Sequence, residues 1–302
     1  MGVAEHLLDL AAEVPTWKRA LRAQGKSDAT LSTYGLGVER FLRWCTDTGT
    51  PAELTKANVQ AWLADLLDSG LQATSATTWL GGVKRFGAWL ADEDLLPNNP
   101  IERLSPPKIA TKVTESLTDD DLRQLLKTCQ ASKSLRDRRD EAIIRLMSET
   151  GLRANELVAL ELDDLDLNRQ LATVTKGKGG KGRIVPYSPQ VAAALDRYLR
   201  VRRARAHPGN TQLFIGAQAP GFSYYALAKT LRRRAADAGV AGFHVHKLRH
   251  TAATRWLRAG GSEGGLMAVA GWSSREMLDR YVRASAAERA ADEARGLNLG
   301  DL

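Results

Sequence analysis

Residues 97–118 read P-N-N-P-I-E-R-L-S-P-P-K-I-A-T-K-V-T-E-S-L-T, with prolines at 97, 100, 106 and 107. Prolines at that density forbid a continuous helix, because each lacks a backbone N–H and fixes its own φ, and they favour an extended connector. A chain of 302 residues has room for about two domains of roughly 150 residues. The stretch therefore predicts the division: a helical domain over 1–97, a proline-rich linker over 98–117 and a second domain over 118–302.

Outward from the connector, the apolar spacing is helical on the N-terminal side. Leu31, Tyr34, Val38, Phe41, Leu42 and Cys45 follow the 3.6-residue period between a Ser27/Asp28 start and a Gly49 stop. Val59, Trp62, Leu63, Leu66 and Leu67 form a second stripe, with Thr55 as N-cap and Gly70 as stop. Trp79, Leu80, Val83, Phe86 and Leu90 form a third, and with a segment around Leu7 to Leu21 the prediction is a bundle of about four helices. On the C-terminal side, Leu117-Thr118-Asp119-Asp120-Asp121 opens a helix with acidic residues in its first turn. A second runs through Ala142 to Ser148 and meets Gly151. Over 171–187, L-A-T-V-T, a Gly/Lys-rich turn and R-I-V-P-Y predict a β-hairpin. The rest, from Pro189 to about Arg295, reads as mostly helical with Gly-rich breaks. The expected fold class is mainly α with a small antiparallel sheet.

Hydrophobic residues at 43% and charged residues at 26% are ordinary globular composition. No run approaches the roughly 20 apolar residues of a membrane span. The N-terminus carries Glu5 and Asp9 and lacks the basic-then-apolar order of a secretory signal. Cys45 and Cys129 are too few for a disulfide framework or a four-ligand zinc site. A soluble, cytoplasmic, nucleoid-associated protein is expected. The charge is uneven: 11 basic against 13 acidic side chains over residues 1–110, and 32 against 22 over 111–302. The whole excess of +8 thus comes from the second part, which makes a polyanion the first partner to consider; a solvated basic surface is the plain alternative.

Four spaced signals carry possible chemistry. In T-G-L-R-A-N-E-L, residues 150–157, Arg153 sits at the start of a helix, where backbone N–H groups also favour an anion, and Glu156 can hold its guanidinium. In G-K-G-G-K-G-R, residues 177–183, glycines allow close approach to a phosphodiester while Lys178 and Lys181 supply charge. In H-V-H-K-L-R-H, residues 244–250, His246 and Arg249 share one helix face, able to grip a phosphate and move a proton. No carboxylate or cysteine lies among these histidines, so no metal is expected, and His244 and His250 read as core or surface residues. In A-G-W-S-S-R-E-M-L-D-R-Y, residues 270–281, Tyr281 follows Trp272 among Arg275, Arg280 and Arg283, whose charge would ease loss of the phenolic proton. Taken singly, each has an ordinary alternative: a surface arginine, a solvated turn, a packed histidine, a packed tyrosine.

In their order the four resemble the tyrosine recombinases, or phage integrases: Arg…Lys…His-x-x-Arg…His/Trp…Tyr, here Arg153, Lys178, His246-Lys247-Leu248-Arg249, Trp272 and Tyr281. The likeness spans about residues 118–284, and the preceding bundle resembles the family's core-binding, SAM-like domain. It implies a DNA breaking-rejoining fold in the second domain. Two departures stand out. Most members place histidine where this chain has Trp272, and an indole cannot shuttle protons. The hairpin also carries one extra residue before G-K-G, so Lys176 or Lys181 competes with Lys178 for the lysine role.

The resemblance implies that Tyr281 attacks a phosphodiester, that Arg153 and Arg249 hold its non-bridging oxygens, and that Lys178 protonates the departing 5′ oxygen. His246 accepts the tyrosine proton or positions the phosphate, and Trp272 donates its indole N–H. No cofactor is implied. The implied partner is double-stranded DNA with paired inverted-repeat core sites, bound by a homotetrameric synapse whose subunits dock through C-terminal helices. DNA contacts are expected at Lys84 and Arg85 in the first domain, on helices near Thr30–Tyr34 and Thr77–Arg85, and at Lys181, Arg183 and Lys247 in the second. The chain reads as lacking an arm-binding domain, which implies a simple-site enzyme: a small phage or mobile-element integrase. The alternatives are an Xer-type dimer resolvase, from which A-G-W and M-L-D depart, and, outside the enzyme class, a non-catalytic DNA-binding regulator.

Overall fold

The computed structural model describes residues 8–108, 116–175, 182–216, 221–279, 281–282, 290 and 294–295. Two compact units, Met1–Thr111 and Lys112–Leu302, make up the chain. The described residues are mainly helical with one three-stranded antiparallel sheet, as the apolar spacing predicts. Among them, no helix is long and apolar enough to cross a membrane.

The first unit is built from α1 (Leu10–Ala23), α2 (Asp28–Thr48), α3 (Lys56–Asp68) and α4 (Ala73–Asp92). Caps set their limits: the Ser27 side chain accepts from the Thr30 N–H, and Thr55 accepts from the Asn58 N–H at 3.1 Å. Inside, Trp17 packs on Phe86 with ring centres 5.1 Å apart, and Phe41 packs edge-on against Trp62 at 5.6 Å. Such aromatic pairs contribute roughly 0.5–1.5 kcal/mol each beyond their burial.

The α2–α4 crossing repeats one pattern on both helices: aromatic, glycine and arginine at three-residue intervals, Tyr34/Gly37/Arg40 and Trp79/Gly82/Arg85. A methyl group on Gly37 would lie 2.4 Å from the Trp79 carbonyl oxygen, and one on Gly82 would lie 2.5 Å from that of Tyr34. Each arginine covers the opposite aromatic ring, Arg85 over Tyr34 at 4.6 Å and Arg40 over Trp79 at 5.4 Å. The helices thus touch backbone to backbone in a locally two-fold arrangement.

The second unit holds α5 (Asp119–Lys127), α6 (Leu135–Thr150), the short α7 (Ala154–Val158), α8 (Pro189–Arg203), α9 (Tyr224–Asp237), α10 (His246–Arg258) and α11 (Glu263–Ala270). Residues 275–279 and 281–282 are also helical. A Thr118/Asp121 capping box starts α5. The hairpin strands are β2 (Leu171–Val174) and β3 (Arg183–Pro186), paired with Leu171 opposite Pro186; a short β1 (Leu165–Asp166) extends the sheet on the β2 side. The α6 helix lies in the core with Ile143, Ile144 and Leu146 fully buried.

Part of the stretch read as connector packs inside the units. Ile101 and Leu104 belong to the first unit's core, and Leu117 belongs to the second's. Proline spacing alone could not reveal these anchors.

Candidate active site

Helix α6 stops at Gly151, whose φ of 65° is left-handed, and Arg153 follows as the residue before α7. With only five residues, α7 adds little helix-terminus field, so the anion preference read from its sequence rests on side chains. Arg153 Nη1 donates to Glu156 Oε1 at 2.8 Å, and its backbone N–H donates to Glu156 Oε2 at 2.8 Å. From β3, Arg183 meets the same carboxylate with both terminal nitrogens, at 3.0 and 2.7 Å. Burial raises the Glu156 pKa, but the bonds from Arg183 and Arg153 outweigh it and hold the group at about 2.

The last carbonyls of a helix lack intrahelical partners, and those of α11 are all satisfied. The N–H groups of Gly271 and Trp272 donate to the Ala268 and Met267 carbonyls at 3.3 and 3.0 Å. The next three carbonyls each take an arginine: Val269 from Arg183 Nε at 2.8 Å, Ala270 from Arg249 Nη2 at 2.8 Å, and Gly271 from Arg153 Nη2 at 3.0 Å. Arg249, on α10, also donates from Nη1 to the Gly151 carbonyl and so ties the end of α6 to the end of α11. Only glycine suits position 271: its φ is 63°, and a methyl group there would lie 3.0 Å from the Arg183 guanidinium.

Arg249 is 2% exposed. Burial, and then the charge of Arg153, lower its pKa to about 10, which leaves it a cation at neutral pH. Its guanidinium carbon lies 5.3 Å from the centre of the Trp272 ring. Trp272 stacks on Tyr281 with centres 4.9 Å apart and planes 20° apart, and both are nearly buried. The Trp272 indole N–H is buried and has no hydrogen-bond partner among the described residues. His246, the first residue of α10, lies edge to face with His250 at 5.0 Å. Its pKa is lowered by desolvation and then by Arg249, His244 and Arg153, although part of the residue stays open to solvent.

Arg153, His246, Arg249, Trp272 and Tyr281 are thus linked through one set of contacts. Lys176, Lys178 and Lys181 lie outside the described residues, as do Arg280 and Arg283. Arg275 is at the surface, 3.6 Å from Glu263. The expected DNA contacts are placed differently from one another. Arg183 turns inward and pairs with the buried Glu156 carboxylate, which needs a cation beside it. Lys84 donates its ammonium to the Leu104 carbonyl at 3.1 Å, Arg85 is exposed, and Lys247 is half-buried. His250, read from sequence as a core or surface residue, has its ring 5.0 Å from that of Tyr281; the signal for this was its four-residue spacing from His246.

The profile of the phage integrase family matches residues 115–288, and that of the phage integrase N-terminal SAM-like domain matches residues 15–96. A Corynebacterium efficiens protein named tyrosine recombinase XerC is 29% identical over 261 residues, covering 86% of this chain and 83% of the relative. The tyrosine recombinase XerC of Pseudomonas fluorescens is 32% identical over 237 residues, covering 77% and 78%. The fold is similar to that of a lambda integrase tetramer bound to a Holliday junction, with a TM-score of 0.72 at 16% identity over 92% of this chain and 78% of that one. With Arg153, Arg249, Trp272 and Tyr281 brought together near the end of α11 and the family profile matched across more than half its length, the chain belongs to the phage integrase family and is a tyrosine recombinase, an enzyme of site-specific DNA recombination.

Proposed function

We propose that this recombinase cuts one strand of duplex DNA with the Tyr281 phenolic oxygen, forming a 3′-phosphotyrosyl bond and releasing a 5′-hydroxyl. The partner strand's 5′-hydroxyl then reverses the step, so the bond energy is conserved. The observation that carries this reading is the anchoring of Arg153 and Arg249 on adjacent carbonyls beside the Trp272–Tyr281 stack. Each guanidinium has five N–H donors, and these contacts use two of Arg153's and two of Arg249's. The remaining donors suit the non-bridging oxygens, which gain negative charge in the transition state. Three of the donors of Arg183 are engaged, which fits its buttressing place.

Trp272 gives its indole N–H to a phosphate oxygen, and His246 adds an imidazole at the same phosphate. Lys178 protonates the departing 5′ oxygen, with Lys176 and Lys181 its competitors. The substrate is a pair of inverted-repeat core sites held by a tetramer, in keeping with the DNA-bound lambda integrase tetramer. Arg85, Lys181 and Lys247 are the phosphate contacts of this reading. The biological use is integration of a small phage or mobile element. Dimer resolution is the second reading, favoured by the Xer relatives. Mapping the covalently bound DNA ends in cells separates the two. Tyr281→Phe abolishes the covalent adduct on a nicked suicide substrate and leaves DNA affinity nearly intact; a surviving adduct excludes this nucleophile.

A further inference from the structure

Tyr281 is flanked by two rings. Trp272 stacks on it at 4.9 Å, and His250 lies against it at 5.0 Å with the planes tilted by 36°. Only one of these neighbours can take a proton, because an indole N–H donates and offers no acceptor nitrogen. His246 stands one turn before His250 on the same face of α10. Its ring meets that of His250, centre to centre at 5.0 Å and nearly perpendicular at 80°. The contacts therefore run His246, His250, Tyr281, with His250 in the middle. Apart from desolvation, the groups that lower the His246 pKa are basic side chains: Arg249 first, then His244 and Arg153. His246 thus belongs with the residues suited to a phosphate, and His250 with the phenol.

We propose that His250 is the imidazole that accepts the Tyr281 proton during strand cleavage, which leaves His246 to the phosphate. The step balances within the reading it rests on, that of Tyr281 as nucleophile. The bond from the phenolic oxygen to phosphorus forms as the bond from phosphorus to the 5′ oxygen breaks. The phenolic proton passes to a His250 ring nitrogen, and the 5′ oxygen takes a proton from the Lys178 ammonium. In religation both protons return: the attacking 5′-hydroxyl gives its proton to Lys178, and protonated His250 restores the phenol. A neighbouring base thus stands in the position that Trp272 cannot fill.

The test uses the full chain on a nicked suicide substrate, with the first-order rate of adduct formation as readout and DNA affinity measured alongside. His250→Ala slows adduct formation by about 10²–10⁴-fold, the usual contribution of a positioned base, with affinity unchanged. Imidazole added to the buffer restores much of the rate. His250→Phe keeps a ring against Tyr281 but cannot accept a proton, and stays slow. A His250→Phe rate near that of the unmodified chain, or a His250→Ala rate that imidazole leaves unchanged, overturns the assignment. If the unmodified chain forms no adduct that Tyr281→Phe removes, the nucleophile reading itself fails. If it does, and the His250 variants react as fast, only the proton assignment fails.

Discussion

A second cation cannot replace the guanidinium of Arg153. One of its terminal nitrogens holds Glu156 and the other holds the Gly271 carbonyl, and its remaining donors stay in a fixed plane. Lysine offers a point charge with no fork to share among three acceptors. Arg153→Lys should therefore lower the rate of adduct formation by about 10²–10³-fold, the cost of losing one positioned donor to a developing oxyanion, with DNA affinity little changed. Glu156 carries the complementary prediction. Its pKa falls from 4.5 to about 2 in the folded chain, so its ionic contribution is complete above 4.5 and is lost as pH falls towards 2. The difference is worth about 3 kcal/mol. Glu156→Gln should lower the melting temperature at neutral pH, and the gap to the unmodified chain should narrow below pH 4.5, as followed by circular dichroism. A gap that stays constant down to pH 3 would show that the carboxylate charge is not what stabilises the site.

Between elements, two contacts do most of the positioning, and they differ in how well sequence disclosed them. Three arginines distant in sequence, from the start of α7, from β3 and from α10, converge on the end of α11. Motif order named Arg153 and Arg249, because their spacing survives in one dimension. It did not disclose that Arg183 turns inward, since that depends on where Glu156 lies in three dimensions. The crossing of α2 and α4 was equally hidden. Periodicity predicts both helices, and Gly49 ends α2 with a left-handed φ of 67° as its sequence implies. Gly37 and Gly82, however, read only as weak helix formers until the partner backbone is seen beside them. Gly37→Ala and Gly82→Ala should each destabilise the chain by about 1–3 kcal/mol, the usual cost of forcing a methyl group into a filled contact. Thermal melts check this: an unchanged melting temperature for both would mean that the helices separate at no cost.

For the molecule as a whole, the uneven charge read from sequence has a direct consequence. An excess of 32 basic over 22 acidic side chains in residues 111–302 should make DNA affinity strongly salt-dependent. With several phosphate contacts, binding should weaken by about 10³-fold between roughly 50 and 200 mM salt, whatever the DNA sequence. Anisotropy titrations measure that slope, and a flat response would place the basic residues away from the DNA. The prolines at 97, 100, 106 and 107 mark a break in helical pattern, which is a local property of the sequence, whereas the compact units meet at Thr111 and Lys112. The burial of Ile101, Leu104 and Leu117 at the ends of that break was not, because it depends on tertiary packing.

The six tyrosines offer the most direct test of the site. Tyr187 and Tyr198 are buried with their hydroxyls on the Asp166 and Leu213 carbonyls, and burial pushes both phenols up to about 12. Tyr34 lies under Arg85. Tyr224 and Tyr225, 50% and 72% exposed on α9, are the open competitors. Mass spectrometry of the peptide that keeps a covalently attached nucleotide after digestion of the protein–DNA adduct should find it on Tyr281 alone. A nucleotide on Tyr224 or Tyr225, or on any residue other than Tyr281, would contradict the assembly of a single active site at the end of α11.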